Sequence, residues 1–562
     1  MLRAMQNALK TANAAIYYQP EGFDTSREKL MGRHAAGEGF LKGFVEHAAA
    51  DTLYCYAKST EIVQHFSTAA GKFGNTRPVK WLNENAPAGL AEVGALHLPD
   101  PSLSLQAWRR RAGDQRAYSI TGLTHTTASA GAMEWMTGLL TAPVQDWDAL
   151  ICTSKVVKDT VEFVLDAQAY YFAERLGATR FPRPQLPVIP LGADTDALAP
   201  TPDSRGAWRQ KLEIGADDIA VLFVGRLSFH AKAHPLPMYL GLEQAAKASG
   251  KKIHLIQSGW FANDFIEKAF KSGAKTFCPS VNCIFLDGRQ RQVRAGVWQA
   301  ADIFTSLSDN IQETFGLTPI EAMAAGLPSV VTDWNGYKDT VRDGIDGIRI
   351  PTLMPPAGWC ADLADRHAAG LDTYDLYCGF TSQFVAVEPA ACAKAYLSLI
   401  ESPELRAKFG AAARQRARDV FDWRVVVGQY QALWADLAER RAAGTESAMR
   451  RGDQPGNPAR ADPFLAFASY PTETLSDDHL IEAMPGATPQ IFDAIYKSPM
   501  ISFVRPVVPS QNDCHRLLVE LARGGRQRIG DLAAAWPADK RLFLQRSLIW
   551  LAKLGLARIR KP

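Results

Sequence analysis

The sequence predicts an α/β protein with two Rossmann-like doubly wound domains and a small, mainly helical C-terminal unit. Three observations lead there. The chain has 562 residues, too many for one hydrophobic core and enough for two or three domains. Short apolar runs alternate with helical periods in two separate series. After the second series the sequence turns polar, and a distinct basic segment closes it.

The first series holds Ala14 to Pro20, "TLYCYA", "YSITGLTH" and Asp148 to Ser154. The second is clearer: "IAVLFVG" from Ile219, "KIHLIQSG" from Lys252, "NCIFLDG" from Asn282, "DIFTSLS" from Asp302 and "PSVVTD" from Pro328. Runs this short and apolar, each leading into a helix, read as buried parallel strands of βαβ units. Pro187 to Arg205 is rich in Pro, Asp and Gly and reads as an interdomain linker. The expected domains are therefore 1–198 and 199–420, with a further helical stretch at 421–442. Residues 443–465, polar with Gly and Pro, read as a second, mobile linker.

Residues 466–562 form a separate unit. "DCHRLLVELARGG", "IGDLAAAW" and "DKRLFLQRSLIWLAKLG" read as three helices and "LARIRKP" as a closing strand. That order resembles a winged helix-turn-helix. From Ile501 to Pro562 there are 12 Lys/Arg against 4 Asp/Glu, while the rest of the chain is negative. DNA binding competes here with a packing or self-association module. The third helix carries Leu542, Phe543, Leu544, Leu548, Ile549, Trp550, Leu551 and Leu554, with few side chains that read bases. A protein partner or a second copy is preferred over nucleic acid.

Composition excludes several classes. Hydrophobic residues at 47% and charged residues at 22% are ordinary for a soluble globular protein. A net charge of +3 excludes a polyelectrolyte binder. No apolar run reaches bilayer-spanning length, and "MLRAMQNALKTANAAIYYQP" lacks the apolar core of a signal peptide. The eight cysteines form no C-x-x-C pair or zinc spacing, so reduced, buried thiols are expected. The expected location is cytoplasmic. Trp108 to Arg116, "WRRRAGDQR", reads as a solvated basic helix, with peripheral contact to anionic lipid at the inner membrane face as the competing reading.

The chemistry concentrates between Ser308 and Asp333, "SDNIQETFGLTPIEAMAAGLPSVVTD". Glu313 and Glu321 lie eight positions apart, with a Phe-Gly turn and a helix start between them. Thr318 is placed to N-cap that helix, with Pro319 at its first position. Amides of Phe315, Gly316, Leu317 and Thr318 would then face the loop, where the helix dipole suits a diphosphate. Thr318 to Glu321 also fits a capping box, so Glu321 has a structural reading beside the ligand one. Glu313 has none. A second constellation is "VLFVGRLSFHAKAHPL" from Val221, where Arg226 and Lys232 follow a buried strand. Two cations there suit the charge on a leaving diphosphate; two solvated loop cations are the plain alternative. A Gly-rich stretch, "GRHAAGEGFLKGFVEHA" from Gly32, reads as a turn feeding a helix, with Gly37 and Gly39 allowing backbone to approach a phosphate. His125 ends the strand-like run "ITGLTHTTAS", where a lone His is most often structural.

The stretch E-T-F-G-L-T-P-I-E-A-M-A-A-G-L-P resembles the E-x7-E motif of retaining glycosyltransferases of family 4, also described as glycosyl transferases group 1, which have the GT-B fold. The resemblance covers roughly residues 10–445 and is strongest over 219–350. It implies that Glu321 holds the donor ribose, that Glu313 contacts the transferred sugar, and that Phe315, Gly316 and Leu317 hold the diphosphate. It places Arg226 and Lys232 on the phosphates, although Ala233 stands where a Gly usually follows the Lys. It assigns Gly37 and Gly39 to a loop over the donor phosphates and His125 to the reaction centre. The base would be read near Gly288 and Arg289. The segment around Phe421, Asp422 and Trp423 resembles the one that crosses back to the first domain.

The function this implies is hexosyl transfer from a nucleoside diphosphate sugar, with retention and without a metal, to a saccharide or lipid-linked saccharide. No cofactor is expected beyond that co-substrate. Rival readings are another GT-B enzyme, such as a nucleotide-sugar epimerase or a phosphorylase, and a non-catalytic partner- or DNA-binding protein. Leu371 to Pro389 reads as an elaboration of the second domain to which the sequence assigns no role.

Overall fold

The computed structural model describes residues 12–25, 32–201, 203–452, 454–504, 507–508 and 510–562. The first domain is built on β1 (Ala15–Tyr17), β2 (Leu53–Ala57), β3 (Val79–Asn83), β4 (Ala95–His97), β5 (Ser119–Leu123) and β6 (Ala149–Ile151). These pair in the order β3-β2-β1-β4-β5-β6, every pair parallel. The second domain repeats the plan with β7 (Ile219–Val224), β8 (Ile253–Gly259), β9 (Val281–Asp287), β10 (Ile303–Ser306), β11 (Ser329–Thr332) and β12 (Gly347–Ile350). Their order is β12-β11-β10-β7-β8-β9, again all parallel. Two Rossmann-like sheets in one chain make this a GT-B fold. In each sheet the strand order reverses beside the first strand, opening a crevice at the carboxyl ends of β1 and β4, and of β7 and β10.

The strands are apolar on both faces because helices cover both faces. All of β8 is buried, and two of its polar side chains find partners. Gln257 accepts from the Tyr239 hydroxyl at 3.0 Å, and His254 bonds Asp218 at 2.8 Å and Asn282 at 2.9 Å.

After the second domain the chain crosses back at Phe421–Trp423. Ala193 N donates to Phe421 O at 2.7 Å, and Trp423 N donates to Ala193 O at 3.3 Å. Asp422 then caps the helix Trp423–Ala443, accepting from Arg424 N at 2.9 Å. Burial alone would raise the Asp422 carboxyl, but bonds from Arg424 and Thr195 hold it at about 2. Lys42 is bonded to Asp194, which also accepts from Ala197 N and so fixes the linker turn.

Gly37 and Gly39 are not in a turn. Both lie inside the helix Gly32–His47, which corrects that expectation. A Cβ on Gly37 would stand 2.1 Å from Gly22 O, and one on Gly39 would stand 3.2 Å from the Trp423 ring. Their missing side chains admit neighbouring backbone and the returning tryptophan. Residues 26–31, which precede this helix, lie outside the described residues.

Trp108–Arg116 is not a solvated basic face either. Arg110 and Asp148 form a fully buried bidentate pair at 2.6 and 2.6 Å. Arg109 pairs with Glu84 at 2.6 Å. Arg111 donates to carbonyls after the returning helix, Ala448 O and Gly456 O, both at 2.8 Å. Arg116 donates to Arg441 O in that helix's last turn at 2.7 Å and to Gly444 O just beyond it. Hence the linker expected at 443–465 is tied to the first domain at Gly444, Ala448 and Gly456. Without regular structure their carbonyls need donors, and these arginines supply them.

The chain divides into compact units at Arg460 and Ala461. The second unit has its own antiparallel sheet of β15 (Leu480–Ala483), β16 (Gln527–Arg528) and β17 (Ala557–Arg560) in the order β16-β15-β17. Helices Gln511–Gly524, Ile529–Ala535 and Arg541–Lys553 pack on a core that includes Ile481, Phe492, Leu518 and Leu551. Within the last helix Leu544, Leu548 and Leu551 are buried, whereas Leu542, Phe543 and Ile549 are exposed. Among the described residues, no helix is long and apolar enough to cross a membrane.

Candidate active site

The crevice between β7 and β10 gathers most of the residues singled out by sequence. Gly225 follows β7 at φ +154° and turns the chain toward Arg226. Arg226 Nη2 donates to Ala231 O at 2.7 Å, which closes the loop 226–231, and to Gln312 Oε1 at 3.3 Å, which joins that loop to the one after β10. Lys232 Nζ is ion-paired with Glu313, and both side chains are nearly buried. Two loops from neighbouring strands thus place two cations and one carboxylate together at the switch point.

The loop after β10 is held from every side. Thr332 donates to Ser308 O at 2.6 Å, and Trp334 Nε1 donates to Asn310 O at 3.1 Å. Gly316 sits at φ +82°, and a Cβ there would meet the Tyr337 ring at 2.2 Å. Tyr337 is itself fixed by a 2.8 Å bond to Ser306. Phe315 is buried in the core, edge-on to Phe421. From the first domain, Ser154 donates to Thr314 O at 2.8 Å and Lys155 N donates to Asp339 at 2.6 Å.

The helix begins two residues earlier than expected, at Leu317, with Gly316 as its N-cap. Thr318 is therefore not the cap, and no side chain caps this helix. The capping box does not form because its cap position is occupied by a glycine. The Thr318 hydroxyl is buried with no hydrogen-bond partner. Glu321 has lost its structural reading. Burial raises its carboxyl to about 7, partly offset by Arg294 and Lys232. Arg294 and Gln312 escape sequence reading, which places Thr318 as a cap rather than as a buried hydroxyl.

Glu313, in turn, has gained a structural partner in Lys232. Asp309, on the same loop, is buried, accepting from His234 N at 3.3 Å and raised by burial to about 7. Arg289 lies apart, at the carboxyl end of β9, bonded to Asp287 at 3.0 Å. His125 lies at the end of β5 in the first domain, where Nε2 meets Pro99 O at 2.8 Å. Burial lowers its pKa, so the ring is neutral near pH 7 and the Pro99 bond assigns its proton to Nε2. Nδ1 is then an acceptor. Among the described residues, no group of three or more His, Cys, Asp or Glu is placed to hold a metal.

The arrangement can hold an anionic diphosphate on Arg226, Lys232 and the Leu317 helix start, with hydroxyl-binding carboxylates on either side. Sequence comparison agrees with that class of site. Residues 204–353 match the family described as glycosyl transferases group 1. Among individual proteins, the D-inositol 3-phosphate glycosyltransferase of Mycolicibacterium smegmatis is 30% identical over 273 residues, 48% of this chain and 54% of that protein. The enzyme of the same name from Geodermatophilus obscurus is 28% identical over 172 residues, 30% of this chain and 37% of that protein. The chain thus spans about half the length, or less, of these curated relatives. Two solved structures are similar in outline: Anabaena HepE in complex with UDP-glucose (TM-score 0.47, 15% identity, 76% of this chain and 99% of that one) and sucrose-phosphate synthase from Thermosynechococcus elongatus (TM-score 0.44, 15% identity, 78% and 98%).

Proposed function

We propose that this chain transfers a hexosyl group from a nucleoside diphosphate sugar to an acceptor hydroxyl, with retention at the anomeric carbon. The observation that carries the reading is the convergence of Arg226, Lys232, Glu313 and the uncapped start of the Leu317 helix at the switch point of the second sheet. The match of residues 204–353 to a glycosyl transferase family supports it.

In this reading the diphosphate lies on Arg226, Lys232 and the amides of Phe315, Gly316 and Leu317. Its arrival gives Lys232 a new anionic partner and leaves Glu313 to the sugar. Glu321 takes the ribose hydroxyls, Arg289 borders the base, and His125 Nδ1 accepts from the sugar or stands behind it. Gly37 and Gly39 keep the packing role described above. The acceptor oxygen bonds to the anomeric carbon while the bond from that carbon to phosphate oxygen breaks. The electron pair leaves with the diphosphate, which also takes the acceptor proton. The cations and helix dipole stabilise the growing negative charge. Acceptors of saccharide type, free or lipid-linked, enter from the first domain. D-inositol 3-phosphate, named for the relatives, is the first soluble acceptor to test.

A thermal-shift series with UDP, GDP, ADP and their glucose or mannose conjugates tests the donor site. A ligand at 100 times its Kd stabilises the fold by about 2.7 kcal/mol, which shows as a raised melting temperature. If none of these compounds moves the transition, the donor assignment is wrong.

A further inference from the structure

The elaboration at Leu371 to Pro389 has a place in the fold that its sequence did not disclose. It hangs from a short hairpin stem, β13 (Thr352–Leu353) paired antiparallel with β14 (Ala386–Val387). Between the stems run two helices, Ala361–Ala368 and Tyr374–Ser382. Arg366 closes the turn between them by a two-pronged bond to Asp372 at 2.8 and 2.7 Å. His367 stacks on Tyr377 with ring centres 4.2 Å apart, and Thr373 caps the second helix. The insertion is therefore an ordered body.

Its second helix touches both sides of the crevice. On the donor side, Gly379 lies against His230, where a Cβ would stand 3.0 Å from the His230 Cβ. Asn310 ties the two together, donating to His230 O at 2.9 Å and Cys378 O at 3.4 Å. Arg226 is near enough for its charge to act on both Tyr374 and Cys378. On the other side, the Tyr374 hydroxyl meets the Thr126 hydroxyl at 2.9 Å. Thr126 directly follows His125. One helix thus spans from the loop that carries the phosphate-facing cations to the strand end that carries the neutral histidine.

We propose that residues 354–385 form the acceptor-side wall of the transfer site, and that Tyr374 is the positioning residue that ties this wall to the His125 strand end. The proposal rests on the glycosyl-transfer reading for what the wall encloses, but not for the tie itself. With Tyr374 on Thr126, the reacting position is bounded by second-domain loops, by His125 and by the insertion, which restricts the approach of water. The same tie makes the insertion a sensor of domain closure, because Tyr374 reaches Thr126 only while the two domains are together.

Hydrogen–deuterium exchange on the full chain tests the tie. Tyr374→Phe and Thr126→Val each delete one hydroxyl and little volume. Each single variant should speed exchange in both 122–129 and 374–382, and the double variant should be no faster than the singles. Acceleration confined to the mutated segment, or none, overturns the tie. UDP-glucose as probe tests the wall: in Tyr374→Phe, UDP release without acceptor should rise roughly fivefold, the value of one hydrogen bond, with KM for UDP-glucose unchanged. Unchanged release, or a rise explained by KM, overturns the wall. A protein that no nucleotide stabilises would sink the transfer reading, while the exchange experiment would still decide the tie.

Discussion

Two clusters of arginine, lysine and carboxylate show opposite states of satisfaction. Around Arg110 and Asp148 the charges are consumed. Asp148 takes both prongs of Arg110 and also accepts from Ile120 N and Gln145 N, each at 2.8 Å. Arg110 adds a 2.8 Å bond to Tyr118 O, leaving only its Nε without a partner. The crevice at β7 and β10 is less complete. Lys232 and Glu313 are paired, but the Thr318 hydroxyl has no partner, and burial pushes Glu321 and Asp309 to about 7. Both clusters look alike as strings of charged letters. One has its partners within the chain, and the other leaves polar groups that a ligand can complete, which is what distinguishes a binding site from a structural network.

The largest expected effect lies in the satisfied cluster. Arg110→Met strands Asp148 in the core and should cost about 3–5 kcal/mol of stability. Urea unfolding would measure it; a loss under 1 kcal/mol would mean the pair is dispensable and the contrast false. In the open cluster the effect moves from stability to turnover. Glu313→Gln should lower transfer by about 100-fold, roughly 2.7 kcal/mol in transition-state binding, while the melting temperature changes little. Because Glu313 also partners Lys232, the neutral isostere is a cleaner test than alanine. Should Glu313→Gln transfer at the unaltered rate, the site assignment falls.

The sequence disclosed whatever depends on local periodicity. Nine of the twelve strands and the turn at Phe315-Gly316 were legible from short runs of residues; β3, β4 and β12 were not, and the returning stretch at Asp422 came only from the family resemblance. Partners far along the chain were not. Gly37 and Gly39 read as a phosphate turn because nothing nearby shows that Gly22 and Trp423 need their space. Trp108–Arg116 read as solvated because its acceptors, Ala448 and Gly456, come more than 300 residues later. Within the site itself, Glu313 and Glu321 exchanged their readings. Lys232 gives Glu313 a structural tie, while Gly316, by taking the cap, removes the one expected for Glu321.

A smaller effect follows from Asp309, the buried carboxyl with no ion-pair partner among the described residues. Its pKa rises from about 3.8 unfolded to about 7 folded through burial, so the native state keeps a proton that the unfolded chain has lost. Below pH 4 both states are protonated and Asp309 adds no pH dependence. Between about 4 and 7 the native state binds the extra proton, so stability falls as pH rises, by up to about 1.4 kcal/mol per unit. Above 7 both states are ionised and the slope ends. Asp309→Asn keeps an acceptor for His234 N and removes the titration. The melting temperature of that variant, followed from pH 4.5 to 7.5, should decline less steeply than that of the unaltered protein. Glu321, raised in the same direction, leaves a residual slope that Glu321→Gln should remove in turn. Saturating UDP offers the discriminating comparison. If the ribose hydroxyls donate to Glu321, they favour its ionised form and should weaken its part of the slope, leaving the Asp309 part in place. Identical slopes for the Asp309→Asn variant and the unaltered protein would show that Asp309 is ionised in the fold, and the two clusters would then differ only in whether a cation stands beside the carboxylate.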